Sequence, residues 1–149
     1  MLEKLDGVEL VKESTYWALK FTHAYCDYID VCNWIDKVKN KEPITAENIN
    51  DLPLNLLSGQ LLPYVQTDWL DSFKSDYTNS VLDMAINLSK QEYIKGNNEL
   101  LIQIANSMFA HDKTDEYALI LKCHTLYKQG RTSLAKTTFD TFCNEYKAM

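Results

Sequence analysis

A chain of 149 residues with 46% hydrophobic content is long enough to bury one ordinary domain core without disulfide or metal staples. Twenty-one acidic side chains against fifteen basic ones give a net charge of −6, with the lysines scattered, which argues against a polyphosphate-binding surface. Cys26, Cys32, Cys123 and Cys143 form no CxxC pair, and there is neither a signal-peptide h-region nor an apolar run of membrane length, so a cytoplasmic chain with no membrane contact by this segment is expected.

Four glycines and three prolines punctuate the chain, so its elements should be few and long. Val8 and Leu10 alternate with polar neighbours, Lys12–Thr15 turns the chain, and Trp17, Leu19 and Phe21 alternate again, which predicts a β-hairpin. A helical stripe of Tyr28, Val31, Cys32, Ile35 and Val38 follows, ending near Lys41. Asp51-Leu-Pro53 should leave the next helix short or broken, because proline lacks the N–H that a helix interior needs. From an N-cap at Thr67, the stripe Trp69, Phe73, Tyr77, Val81, Met84 and Leu88 predicts one helix running to about Lys95. Gly96 is expected to end it in a left-handed turn.

Leu101, Ile104, Ala105 and Met108 then give one helix its buried face, and Leu119, Cys123, Leu126 and Tyr127 give another, opened by Thr114 and Glu116. Ala135, Phe139, Phe142, Cys143 and Tyr146 mark a last helix after Gly130. Gly96 and Gly130 stand 34 positions apart, and each follows a tyrosine by three, in Tyr93-Ile-Lys-Gly96 and Tyr127-Lys-Gln-Gly130. That spacing is one tetratricopeptide helix-turn-helix unit. The fold class expected is mainly α: a tetratricopeptide-like α-α superhelix carrying a short N-terminal β-hairpin. Ala135 and Phe139 would hold the small and aromatic crossing positions of the second repeat, exchanged for Leu101 and Ala105 in the first.

With these residues in view, the chain resembles the bacterial transcriptional activator domain. That module follows a winged-helix DNA-binding domain in regulators of the antibiotic-regulatory-protein type and in some response regulators. The resemblance rests on Leu56-Leu-Ser-Gly-Gln-Leu-Leu-Pro63 followed by Asp68-Trp69, and on Leu126-Tyr-Lys-Gln-Gly-Arg131 with Ala135 and Phe139. It covers residues 24–149 and implies that residues 1–23, continuing into Tyr25-Cys-Asp-Tyr28, are the wing that closes a truncated winged helix. The recognition helix should precede that hairpin, so DNA would be contacted only through a flanking domain absent from this chain. The chain ends at Lys147-Ala-Met149 without a terminator and reads as a segment of a longer protein. An interrupted second helix at Pro53 departs from the family pattern in the N-terminal repeat, ahead of the two glycine-marked units.

No residue set calls for a catalytic, cofactor or metal role. His23, His111 and His124 lack a second ligand at helical spacing and read as structural or surface histidines. Cys123 and Cys143 fall on apolar stripes and read as small core residues rather than as a nucleophile or a disulfide. Asp27 with Asp30, Asp68 with Asp71, and Asp112 with Asp115 and Glu116 lie at predicted helix starts, where carboxylates cap and complement the dipole.

One patch stands out. In a tetratricopeptide arrangement Ile86, Lys90 and Tyr93 of one repeat would line a groove with Tyr117, Ile120, His124 and Tyr127 of the next. Such a groove would be apolar and aromatic and would take a peptide, a helix or a sister domain, unless the chain's own helices or a C-terminal extension fill it. The function expected is a regulatory protein-interaction domain of a bacterial transcription regulator that orients or dimerises an adjacent winged helix. Its partners would be that domain, a second copy or the transcription machinery. The alternative is a free-standing tetratricopeptide-type adaptor for complex assembly. An α-helical enzyme lacks a convergent nucleophile, base and oxyanion group.

Overall fold

Strands β1 (Val8–Glu13) and β2 (Tyr16–Phe21) pair antiparallel, joined through Ser14 and Thr15, with Ser14 at a φ of 43°. This is a computed structural model that describes residues 6–45, 47–52, 57 and 59–148. The turn is tighter than Lys12–Thr15, and the register Val8–Phe21, Leu10–Leu19, Lys12–Trp17 puts these six side chains on one face. Leu10, Trp17, Leu19 and Phe21 on that face are exposed, with the Lys12 ammonium 5.8 Å from the Trp17 ring centre. Gly7 fastens the hairpin's open end. Its carbonyl accepts the Thr22 N–H at 2.8 Å, and at a φ of 80° any Cβ there would come within 2.7 Å of the Ala24 nitrogen.

Helix α1 (Asp27–Lys39) buries Val31, Trp34, Ile35 and Val38, while Tyr28 and Cys32 are half-buried. Trp34 adds what the apolar stripe omitted: its indole N–H donates to the Asp51 carbonyl at 3.0 Å and pins the following loop to the helix. The helix ends at Lys41 with a φ of 56°, the Lys41 N–H bonding the Val38 carbonyl and the Glu42 N–H the Lys37 carbonyl. These are the two bonds of a Schellman motif, made here without glycine. Among the described residues the second helical segment shows a 3-10 turn, Ile49–Asp51, with Leu52 extended, as favoured before a proline. Pro53, Leu56 and Ser58 lie outside the described residues.

Helix α2 (Asp68–Ser89) starts after Thr67, whose hydroxyl makes no cap bond. Trp69 points outward and Leu70 is buried instead, while Phe73, though exposed, sets its ring 5.8 Å from that of Tyr28 on α1; from Tyr77 onward Val81, Met84, Ala85 and Leu88 form the core. The single helix expected up to Lys95 is two. Gln91 is extended at a ψ of 138°, and a short α3 (Glu92–Lys95) follows. The break lets Ile94 turn fully inward at 0% exposure. Gly96 has a φ of −78°, so it is right-handed rather than the left-handed stop its position predicted.

Helix α4 (Asn98–His111), capped by the Asn97 side chain on the Glu99 and Leu100 N–H groups, buries Leu101, Ile104, Ala105 and Met108 as its periodicity predicts. Helix α5 (Glu116–Lys128) is capped by Asp115 on the Ala118 N–H at 2.7 Å, not by Thr114. It buries Ala118, Thr125 and Leu126, whereas Leu119 and Cys123 are half-buried and Tyr127 is exposed. Gly130, at a φ of 72°, ends α5 with the same pair of bonds seen at Lys41: its own N–H to Tyr127 and the Arg131 N–H to Leu126.

The helices pack in succession, α1 on α2, α2 on α4, α4 on α5 and α5 on α6 (Thr132–Lys147). The continuous core stops at Ala118. Helix α6 buries no residue. Ala135 is half-buried, its carbonyl 3.5 Å from the Cys123 thiol, and Phe139 is exposed, so the crossing positions expected there are not a packed seam. The described architecture is mainly helical, with a two-strand antiparallel hairpin at its N-terminal side. No described helix is long and apolar enough to cross a membrane.

Candidate functional site

Tyr117, Ile120, His124 and Tyr127 recur every three or four residues and share one face of α5. Ile120 is 67% and Tyr127 69% exposed, and His124 is exposed between them. Carrying two large apolar side chains into water gains nothing for the fold. The face therefore leaves apolar and aromatic surface open to solvent.

Tyr117 is different. It is half-buried against the core, and its hydroxyl meets the Ser89 Oγ at 2.8 Å. The Ser89 hydroxyl gives its only proton to the Ile86 carbonyl at 2.7 Å, which makes Tyr117 the donor to Ser89. The Lys90 ammonium stands 5.8 Å from the Tyr117 ring centre, a cation–π distance. The end of α2 thus gathers Ile86, Lys90 and Tyr117 into one cluster, and Ile120, His124 and Tyr127 continue from it along α5. Tyr93, on α3, is exposed and makes no hydrogen bond or ring contact with the cluster among the described residues. Of the groove residues read from sequence, three are joined by contacts, three extend the same face and one stands apart.

Ser89 was missed, although it is the residue on which the cluster turns. It is buried at 5% exposure, one position beyond Leu88 on the α2 stripe. A serine among buried positions at the end of an apolar stripe is the signal that could have marked both the helix stop and the partner hydroxyl.

His111 lies elsewhere. Its Nε2 stands 2.6 Å from the Leu57 carbonyl oxygen, which fixes Nε2 as the protonated nitrogen. Burial holds its pKa below the ordinary histidine value, and its Nδ1 is buried without a hydrogen-bond partner among the described residues. The ring is structural, 6.2 Å from that of Tyr77. Among the described residues no group of three or more His, Cys, Asp or Glu is placed to hold a metal ion.

The four cysteines are free and half-buried, and burial pushes the Cys123 thiol up, away from the thiolate a nucleophile requires. Asp27 and Asp30 sit in the first turn of α1, and Asp68 and Asp71 in that of α2. Asp112 accepts the Thr114 N–H at 2.8 Å and hydroxyl at 2.7 Å, and Asp115 caps α5. These carboxylates shape helix starts. Comparison with known protein families, curated proteins and solved structures finds no match to this chain.

Proposed function

We propose that this chain is the regulatory, protein-interaction domain of a bacterial transcription regulator, which orients or dimerises an adjacent winged-helix DNA-binding domain. In this reading α2 and α3 pair with α4, and α5 with α6, as two tetratricopeptide-like units, and residues 1–23 supply the wing of the neighbouring domain. The segment does no chemistry. It couples the position of a DNA-reading neighbour to a protein partner held on the α5 face, in the cytoplasm.

The observation that carries the reading is the hairpin's uncovered face. Leu10, Trp17, Leu19 and Phe21 are exposed together on one side of a two-stranded ribbon. Isolated two-stranded hairpins are marginal in water, so such a face suits a ribbon completed by a third element of another domain. A free-standing adaptor would use the Ile120–Tyr127 face equally well but has no use for the ribbon.

The test is to read the coding sequence upstream of this segment in its gene, and then to assay DNA binding by the longer protein. A helix-rich stretch with a basic recognition helix next to the hairpin supports the regulator reading. A native start at Met1 sinks it and leaves the adaptor.

A further inference from the structure

A second surface lies on the opposite side of α5. Lys122 is two residues from both Ile120 and His124, about 200° around a helix of 3.6 residues per turn, so it points away from the exposed stripe. There α6 leans off α4 and leaves an open cleft of about 460 Å³, floored by Phe109, Leu134 and Phe142. Lys113 and Glu145 meet across it at 3.5 Å. Thr137, Thr138 and Thr141 face the same cleft, and each gives its hydroxyl proton to a carbonyl one turn back in α6. Their polar atoms are occupied, so the α6 wall offers mainly methyl groups.

Lys122 is half-buried at the cleft, its ammonium 5.7 Å from the Phe109 ring centre. It makes no salt bridge among the described residues, and burial lowers its pKa. Glu145 already faces Lys113, so among the described residues the cleft carries one uncompensated cation, in a chain of net charge −6. The lining runs along α6 from Leu134 to Glu145, about 16 Å at ~1.5 Å per residue, which is three turns.

We infer that this cleft is a docking groove for an acidic amphipathic helix of a partner protein, its apolar side chains seated on Phe109, Leu134 and Phe142 and a carboxylate paired with Lys122. Length and shape match the helix-in-groove mode, in which apolar anchors recur over two or three turns. The carboxylate would remove the unpaired charge and set polarity and register. The site is independent of the Ile120–Tyr127 face and of the regulator reading.

The experiment uses the full chain and two labelled probe peptides of about 18 residues, long enough to be helical. Both carry leucine at i, i+3 and i+7; one has glutamates flanking that face and the other lysines. Fluorescence anisotropy should show the glutamate peptide binding and the lysine peptide not, with resonances of Thr138 and Phe142 shifting on titration. Lys122→Glu should weaken binding about tenfold or more, Lys122→Gln less, and Ile120→Glu not at all. Thermal melts that match the parent chain establish that each variant is folded. Equal binding of both peptides, or indifference to Lys122→Glu in a folded variant, overturns the proposal. So does self-association lost in Lys122→Glu with no peptide binding, which would make a second copy the occupant.

Discussion

The His111 imidazole donates from Nε2 to the Leu57 carbonyl across 2.6 Å, tying the C-terminal end of α4 to a residue 54 positions earlier that is itself only 1% exposed. Burial is the main cause of the lowered His111 pKa, and among the described residues Nδ1 has no hydrogen-bond partner. Below the unfolded value of about 6.5 the unfolded chain takes up the proton before the folded one does, so stability is lost as pH falls through that window. Thermal melts between pH 7 and pH 5 should show the midpoint falling. His111→Gln keeps a donor at the Nε2 position but cannot titrate, and its midpoint should fall less steeply. Parallel slopes for the two proteins would mean that His111 does not carry the effect.

Tyr117 and Tyr127 lie on one face but should part company when truncated. Tyr117→Ala removes a half-buried ring and leaves Ser89 without its donor, a loss of about 1–3 kcal/mol. Tyr127→Ala, at a side chain 69% exposed, should stay within about 0.5 kcal/mol of the parent while weakening any partner that uses this face. Urea titrations of the two variants, with unchanged slopes, measure the difference.

Gly96 and Gly130 look equivalent in sequence and are not. Gly130→Ala places a Cβ at a φ of 72° and should cost about 1–2 kcal/mol, although nothing crowds the site. Gly96→Ala, at a φ of −78° with only an ordinary 4.0 Å contact from the new Cβ to the Tyr93 carbonyl oxygen, should stabilise by about 0.4–1 kcal/mol. Lys41 holds the place of Gly130 in its own Schellman motif at a φ of 56°. Lys41→Gly should therefore gain about 0.5 kcal/mol, relief of left-handed strain exceeding the added chain entropy. A melt in which Gly96→Ala costs more than Gly130→Ala would refute this assignment.

The hairpin should exchange its amide hydrogens fast in this chain, since its strands pack mainly on each other. Deleting residues 1–23 should leave the helical melt unchanged within about 0.5 kcal/mol. Slow exchange at Val11 and Ala18, whose amides face the partner strand, or a large loss on deletion, would mean that the ribbon is part of the helical core.

Periodicity revealed the hairpin and α4 because there a single partner surface sets the pattern: Leu10 faces Leu19, and Leu101, Ile104 and Met108 face the core. It overextended α2, because the apolar stripe continues through Ile94 while the backbone turns between them at Gln91. Two residues before that turn sits a buried hydroxyl, Ser89, whose partner lies on a helix 28 residues away, and no local pattern contains that contact. Tyr127 was misplaced for the opposite reason: an aromatic at helical spacing signals a face without saying whether protein or water lies on it. The shared α5 face was legible as a face, since Tyr117, Ile120, His124 and Tyr127 follow the helix repeat. Its separation from Tyr93 was not, because the break before α3 sets where that tyrosine points.

The core's end at Ala118 has a mechanical consequence for the cleft on Lys122. One wall, α4, is anchored in the interior by Ile104 and Met108, while the other, α6, leans on α5 with no buried side chain of its own. Opening α6 therefore breaks little apolar contact, and its free energy belongs at the low end of the local-unfolding range. If the cleft takes a partner, α6 is therefore the wall whose displacement would set its width.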